Sequence, residues 1–133
     1  MITEEDKIKY WKQAKSGLIA VDYDNTITKY KPYPELAPLD EKAKKYLDKL
    51  NEKGFKLILW SSRIDEDYEL AYNRCINEFN MPYLLKDSDE YVHGKTGKIV
   101  ASYYIDELSS YGKVNWKKTY KYIVKNIKKS FEK

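Results

Sequence analysis

Short apolar segments alternate along the chain with longer segments in which apolar residues recur at helical spacing. The short segments are apolar almost throughout, which is typical of strands buried on both faces of a parallel sheet. Two of the longer segments end at a glycine, a common helix terminator. The pattern predicts the order α-β-α-β-α-β-β-α, with helices over 3–15, 39–53, 65–80 and 115–131 and strands over 18–21, 55–60, 82–86 and 100–105.

This alternation predicts an α/β fold, a three-layer α/β/α Rossmann-like domain with a central parallel sheet of four to five strands. The chain has 133 residues, so we expect a single domain over 1–133. No repeat or linker interrupts it. In open parallel sheets the ligand binds at the carboxyl ends of the strands.

Polar side chains follow three of the predicted strands at that edge. The three groups are Asp22 with Asp24, Ser61 with Ser62, and Asp106 with Glu107. Carboxylates held this close repel one another unless a cation lies between them, and their hard oxygens suit Mg²⁺ better than zinc. The alternative is that these acids only cap strand and helix ends, because Asp is common in such turns.

Ser61 and Lys98 are candidates to bind an anionic oxygen. A hydroxyl and backbone N–H after a buried strand hold anions well, and an ammonium offsets the charge of clustered carboxylates. Ser61 is also explained as a helix cap. Lys86 and Lys95 compete with Lys98 for its role.

Composition narrows the chemistry further. The net charge is +4, with one Cys and one His, which excludes zinc fingers and, unless His93 serves, also Cys–His and Ser–His–Asp catalysis. We expect a cytoplasmic protein without a membrane span, because no apolar run is long enough and the first residues are polar. Cys75 is expected in the core, and His93 either at the surface or against substrate.

The last predicted helix is strongly basic. From Lys117 to Lys133 there are seven Lys and one acid. Such a segment attracts nucleic acid or is simply a solvated face. Only two Arg are present, Arg63 and Arg74, which argues against sequence-specific DNA recognition.

Taken in order, these segments resemble the motifs of the haloacid dehalogenase superfamily of phosphohydrolases. The first motif, a strand followed by D-x-D-x-T, corresponds to LIAVDYDNTIT at 18–28. The second, a strand ending in Ser or Thr, corresponds to LILWSSR at 57–63, and the Lys and paired acids correspond to Lys98 and IDE at 105–107. Asn25 stands where Gly is frequent, and the final pair is Asp-Glu rather than Asp-Asp.

The resemblance implies a Mg²⁺-dependent phosphomonoesterase. Asp22 would attack phosphorus to form an aspartyl-phosphate, and Asp24 would act as general acid and then base. Ser61, Ser62 and Lys98 would bind the phosphoryl group. Mg²⁺ would be held by the side chain of Asp22, the backbone of Asp24, and by Asp106 and Glu107.

No segment is long enough to form the cap domain common in that superfamily, so the resemblance implies an open site. The substrate would be a phosphorylated small molecule or macromolecule, a nucleotide or polynucleotide end among them, contacted by Tyr30, Arg63 and His93. Arg63 would equally serve as a partner of Asp65 or Asp67. The competing hypothesis is a catalytically idle binding module of the same fold, which uses the basic last helix to bind nucleic acid or a protein.

Overall fold

The structure is a computed structural model that describes residues 3–31, 36–95, 97–106 and 113–129. It contains four helices and four strands in the predicted order. They are α1 (Glu4–Ala14), β1 (Leu18–Val21), α2 (Glu41–Glu52), β2 (Lys56–Leu59), α3 (Asp65–Asn73), β3 (Leu85–Lys86), β4 (Tyr103–Ile105) and α4 (Trp116–Asn126). Two π-helical turns, Tyr23–Ile27 after β1 and Arg74–Glu78 after α3, complete the described elements.

The four strands form one sheet of order β3-β2-β1-β4, and every neighbouring pair is parallel. From β1 the chain steps outward to β2 and β3, then crosses back to the far side of β1. Right-handed crossovers therefore place α2 and α3 on one face and the β3–β4 connection on the other. The reversal of strand order makes the carboxyl end of β1 the topological switch point of the sheet.

The larger core lies between the sheet and α2, α3 and α4. Alternate strand residues point into it and meet the apolar stripes of the helices. Its buried members include Ile19, Val21, Leu57, Leu59 and Ile105 from the strands, and Leu47, Leu50, Ala71, Cys75 and Ile123 from the helices and the Arg74–Glu78 turn. The predicted core position of Cys75 is thus where the side chain lies.

The second face of the sheet is covered by the β3–β4 connection and by the end of α1. Leu18, Ala20 and Ile58 pack there against Ile99. The Gln13 carboxamide of α1 clasps the connection, donating to the carbonyls of Val92 and Val100 at 2.9 and 2.8 Å and accepting from the Val92 N–H at 2.9 Å. This polar clasp, rather than an apolar stripe, docks α1 on the domain.

The predicted α/β class with a parallel sheet is confirmed, while several predicted boundaries differ. Residues 82–84 and 100–102 belong to turns and to the connection, so β3 and β4 are shorter than predicted. Ile8 and Trp11 of α1 are 53% and 59% exposed, so their helical spacing does not mark a core face. α4 ends at Asn126, and the predicted continuation to 131 lies partly outside the described residues.

The segments between the strands hold no further domain within the described ranges. No helix there combines the length and the apolar character that crossing a bilayer requires.

Candidate active site

The carboxyl ends of β1 and β4 bring two acids together. Val21 is paired with Ile105, and the Asp22 N–H donates to the Ile105 carbonyl at 3.0 Å. Asp22 and Asp106 therefore occupy the next position on neighbouring strands, which lie about 4.8 Å apart in a sheet. The structure thus places these two predicted site residues side by side at the switch point.

Asp24 is turned back toward this edge by the π-helical turn Tyr23–Ile27. Within the turn Asp24 is extended (φ −66°, ψ 128°) and Asn25 is left-handed (φ 55°, ψ 22°). Asn is among the few residues other than Gly that adopt this conformation readily. Asn25 can therefore occupy a position at which the motif that it resembles often has Gly. The Thr28 N–H donates to the Tyr23 carbonyl at 3.2 Å and closes the turn.

Arg63 binds the Asp24 carboxylate through two parallel hydrogen bonds. Nε donates to Oδ2 and Nη2 to Oδ1, both at 2.8 Å. The guanidinium also lies over the buried Tyr23 ring, 5.1 Å from its centre. The hydrogen bond to Asp24 raises the pKa of Arg63 above its ordinary value. The pairing of Arg63 with Asp24 was not predicted, because nothing in the local sequence links two residues that lie 39 positions apart.

The exposure of this ion pair is unequal. The Arg63 side chain is 13% exposed, whereas that of Asp24 is 47% exposed. Each carboxylate oxygen has two lone pairs, and Arg63 occupies one on each. Asp24 therefore keeps hydrogen-bond acceptor positions that face solvent, while Arg63 fixes the orientation of its carboxylate.

Ser61 lies directly beside this pair on the loop after β2. Its Oγ accepts a hydrogen bond from the Arg63 N–H at 3.1 Å, which tightens the loop and leaves the hydroxyl proton available for another acceptor. Ser62 is exposed on the same loop. Both serines are thus at the predicted edge of the sheet.

Of the three candidate lysines, Lys98 packs on aromatic rings of the two elements that flank β1. Its ammonium is 4.8 Å from the centre of the Trp60 ring and 4.2 Å from that of Tyr104. The Trp60 N–H donates to the Val21 carbonyl at 2.9 Å, which makes Trp60 the neighbour of Asp22 across β1 and β2. Alternation along β1 directs Asp22 to the face that carries Ala20, where Lys98 also lies.

The rival lysines are placed differently. Lys86 forms an ion pair with Glu69 of α3. Lys95 is exposed on the β3–β4 connection. The Lys86 ammonium lies 5.7 Å from the centre of the Tyr72 ring, in the cleft that Ser61 and Arg63 also line.

His93 and Tyr30, the other proposed substrate contacts, lie in different clefts. His93 joins Ser61 and Arg63 in lining a cleft of about 540 Å³, and its Nε2 is 2.8 Å from Asp87 Oδ1. Tyr30 is 69% exposed and lines another cleft with Thr26. The structure does not bring these two side chains to one place.

Tyr68 lines the same cleft as His93 and was not predicted to be a site residue. Its hydroxyl donates to the Leu59 carbonyl at 2.7 Å and accepts from the Asp87 N–H at 2.9 Å. Burial raises its pKa. By joining the end of β2 to the residue after β3, Tyr68 fixes Asp87 beside His93.

The donor set at the edge fits a magnesium ion in part. Within the described ranges no group of three or more His, Cys, Asp or Glu residues is arranged to hold a metal. Asp22 and Asp106 nevertheless supply two adjacent carboxylates, and Mg²⁺ is commonly bound by one or two carboxylates with several waters. Glu107, the fourth proposed ligand, lies outside the described residues.

Comparisons with known proteins support the fold. A structure described as that of a conserved protein coded by a locus from Bacteroides thetaiotaomicron is similar to this chain, with a TM-score of 0.66 and 27% sequence identity. The match covers 85% of this chain and 93% of that one. Scans against protein-family models and against curated proteins give no match.

Proposed function

We propose that this protein is a phosphomonoesterase that acts through an aspartyl-phosphate on Asp22, with Mg²⁺ as cofactor. The observation that carries the proposal is the register of Asp22 and Asp106 at the switch point, with Asp24 held two residues away by Arg63. The resemblance of 18–28, 57–63 and 98–107 to the haloacid dehalogenase motifs supports the same assignment.

The proposed reaction has two displacements. An Asp22 carboxylate oxygen forms a bond to phosphorus while the bond from phosphorus to the leaving oxygen breaks, and Asp24 donates the proton that this oxygen takes. A water molecule then gives its proton to Asp24 and bonds to phosphorus. The bond from phosphorus to Asp22 breaks, which releases inorganic phosphate, regenerates Asp22 as a carboxylate and leaves Asp24 protonated for the next cycle.

Other residues stabilise the transferring group. The Ser61 hydroxyl and the Lys98 ammonium would donate to the phosphoryl oxygens and offset their negative charge. Asp22 and Asp106 would hold Mg²⁺, which when bound neutralises the carboxylates and the phosphoryl group. The half-exposed Asp24 favours an open site that accepts bulky phosphomonoesters, with Arg63 and His93 as contacts on one side.

The proposal is tested by hydrolysis of p-nitrophenyl phosphate and of a panel of phosphomonoesters with Mg²⁺. We expect activity that EDTA abolishes and that Asp22→Asn lowers at least about 1,000-fold, as for other covalent nucleophiles. Glu52→Gln is the control, because it removes one carboxylate charge from an exposed position at the end of α2, outside both clefts. If wild type and Asp22→Asn release phosphate equally, or neither does with any ester, the proposal is wrong.

The second candidate is an idle binding module. The observation that favours it is the ion pair itself, since Arg63 occupies both oxygens of the proposed acid and base. Absence of turnover together with polyanion binding that Asp22→Asn leaves unchanged would select this candidate.

A further inference from the structure

A large basic cleft adjoins the site. It has a volume of about 980 Å³ and lies between the Tyr23–Ile27 turn, the start of α2 and the start of α4. Asn25 and Thr26 contribute to its wall, so the turn that positions Asp24 also borders this cleft. The Thr26 side-chain oxygen is buried and has no hydrogen-bond partner within the described part of the chain.

The lining is dominated by lysine. Five lysines face two acids, Asp40 and Glu41, and the five are Lys29, Lys42, Lys45, Lys113 and Lys117. None of these lysines has an ion-pair partner among the described residues. Asp40 is already engaged, since its Oδ1 accepts from the Lys42 N–H at 3.0 Å as the cap of α2. The cleft therefore carries an uncompensated positive charge.

The start of α4 adds to this charge. The first turns of α1, α2 and α3 all contain acids, whereas that of α4 contains none. Its cap is the neutral Asn115, whose Oδ1 accepts from the Lys118 N–H at 3.1 Å. The positive end of the α4 dipole thus opens beside Lys113 and Lys117, with no acidic residue in the first turn of α4 itself.

We propose that this cleft binds single-stranded nucleic acid, with backbone phosphates on the lysines and a base stacked on Tyr30. Tyr30 is 69% exposed beside Lys29 and is the aromatic platform at the rim. A charged groove combined with an exposed aromatic ring is how proteins hold single strands without sequence preference. The lysines lie in a recess rather than on a projecting helix or ribbon, which disfavours a duplex. Both arginines are engaged elsewhere, so base-edge recognition is not expected.

The test is direct binding in EDTA, which makes it independent of the proposed phosphatase activity. The probe is a fluorescein-labelled single-stranded oligothymidylate, followed by anisotropy between 50 and 200 mM salt. Five phosphate contacts predict a slope of log K against log salt of about −3.5, and Lys113→Ala/Lys117→Ala should reduce it to about −2 and weaken binding at least about tenfold. The double variant Lys42→Ala/Lys45→Ala, on the side of the cleft that α2 forms, should reduce the slope and the affinity by similar amounts.

The matched control is Lys121→Ala/Lys125→Ala, which removes the same charge from exposed positions of α4 outside the cleft. We expect it to leave the affinity within about twofold, because distant exposed charges are screened. Tyr30→Ala should weaken oligothymidylate binding and leave displacement by inorganic tripolyphosphate unchanged. Equal losses from both α4 pairs would overturn the cleft assignment in favour of the basic tail. If Tyr30→Ala has no effect, the cleft is a site for polyphosphate and the proposal of nucleic-acid binding is overturned. If the oligothymidylate does not bind at 50 mM salt, the proposal is also overturned.

Discussion

Arg63 holds Asp24 through both carboxylate oxygens, each at 2.8 Å, across 39 residues of sequence. The pair joins the turn after β1 to the loop after β2, and Arg63 is itself packed on the Tyr23 ring. Asp24 is consequently fixed in direction while nearly half of its side chain faces solvent. In the proposed reaction, Asp24 would take and give its proton from this fixed position.

Arg63→Lys should lower kcat by a larger factor than it raises KM. A lysine ammonium cannot reproduce the two parallel bonds, and a small misplacement of a catalytic group costs up to about 100-fold in rate. Steady-state hydrolysis of p-nitrophenyl phosphate measures both constants. Arg74→Lys is the matched control, since Arg74 bonds Glu78, the Tyr23 hydroxyl and the Ala37 carbonyl, and should affect stability more than kcat. An unchanged or higher kcat in Arg63→Lys would show that the ion pair does not assist the proposed proton transfer by Asp24.

Lys98→Met should reduce kcat/KM by about 100-fold or more, because a preorganised charge at the transferring group is lost. Lys95→Met, on the same connection but exposed, should retain activity. Lys86→Met tests the remaining candidate, whose ammonium pairs with Glu69. Activity that survives in Lys98→Met and disappears in Lys86→Met would reassign the phosphoryl lysine.

Mg²⁺ should raise the thermal unfolding temperature of the wild type and not that of Asp106→Asn. A ligand that binds only the folded state stabilises it by about 1.4 kcal/mol at ten times its Kd. In EDTA the variant should be slightly the more stable protein, because the repulsion between Asp22 and Asp106 is relieved. Differential scanning fluorimetry with and without Mg²⁺ measures both effects, and Glu52→Gln should keep the full shift. The same Mg²⁺ shift in Asp106→Asn would remove Asp106 from the proposed metal site.

Gln13→Leu should destabilise the domain by about 1 to 3 kcal/mol, since it leaves backbone groups of Val92 and Val100 without their side-chain partner. Urea unfolding gives the free energy, and amide exchange at Val92 should accelerate. Lys12→Leu changes the neighbouring exposed residue and should have little effect. Equal stability of the two variants would mean that α1 is not docked by this clasp.

Cys75 should be unreactive toward Ellman's reagent at pH 8 in the folded protein and fully reactive after denaturation. Burial raises the pKa of its thiol to about 12, whereas an unfolded cysteine titrates near pH 8.5. Stability from the neutral thiol is complete below pH 8.5 and declines as the pH rises toward 12. As the single Cys in the chain, Cys75 gives an unambiguous signal, and rapid native labelling would contradict its buried position.

The candidate site was predictable where chemistry follows directly from strand ends. Asp22, Ser61 and Asp106 each follow an apolar segment, and parallel pairing alone brings such positions to one edge. The partner of Asp24 was not predictable, because a salt bridge between separate loops depends on side-chain packing that no local pattern encodes. The separation of Tyr30 from His93 is of the same kind: both lie in polar loops, and only the paths of those loops put them in different clefts.

The sequence by itself determined the α/β class, the element order and the identity of the edge that carries the acids, because hydrophobic periodicity and chain connectivity constrain these directly. Only the tertiary structure decided how the second face of the sheet is covered. The clasp of Gln13 and the seat of Lys98 on Trp60 and Tyr104 arise from contacts between distant segments. The basic cleft likewise exists because the starts of α2 and α4 come together, which gathers lysines spread over 89 positions of the chain, from Lys29 to Lys117, into one recess.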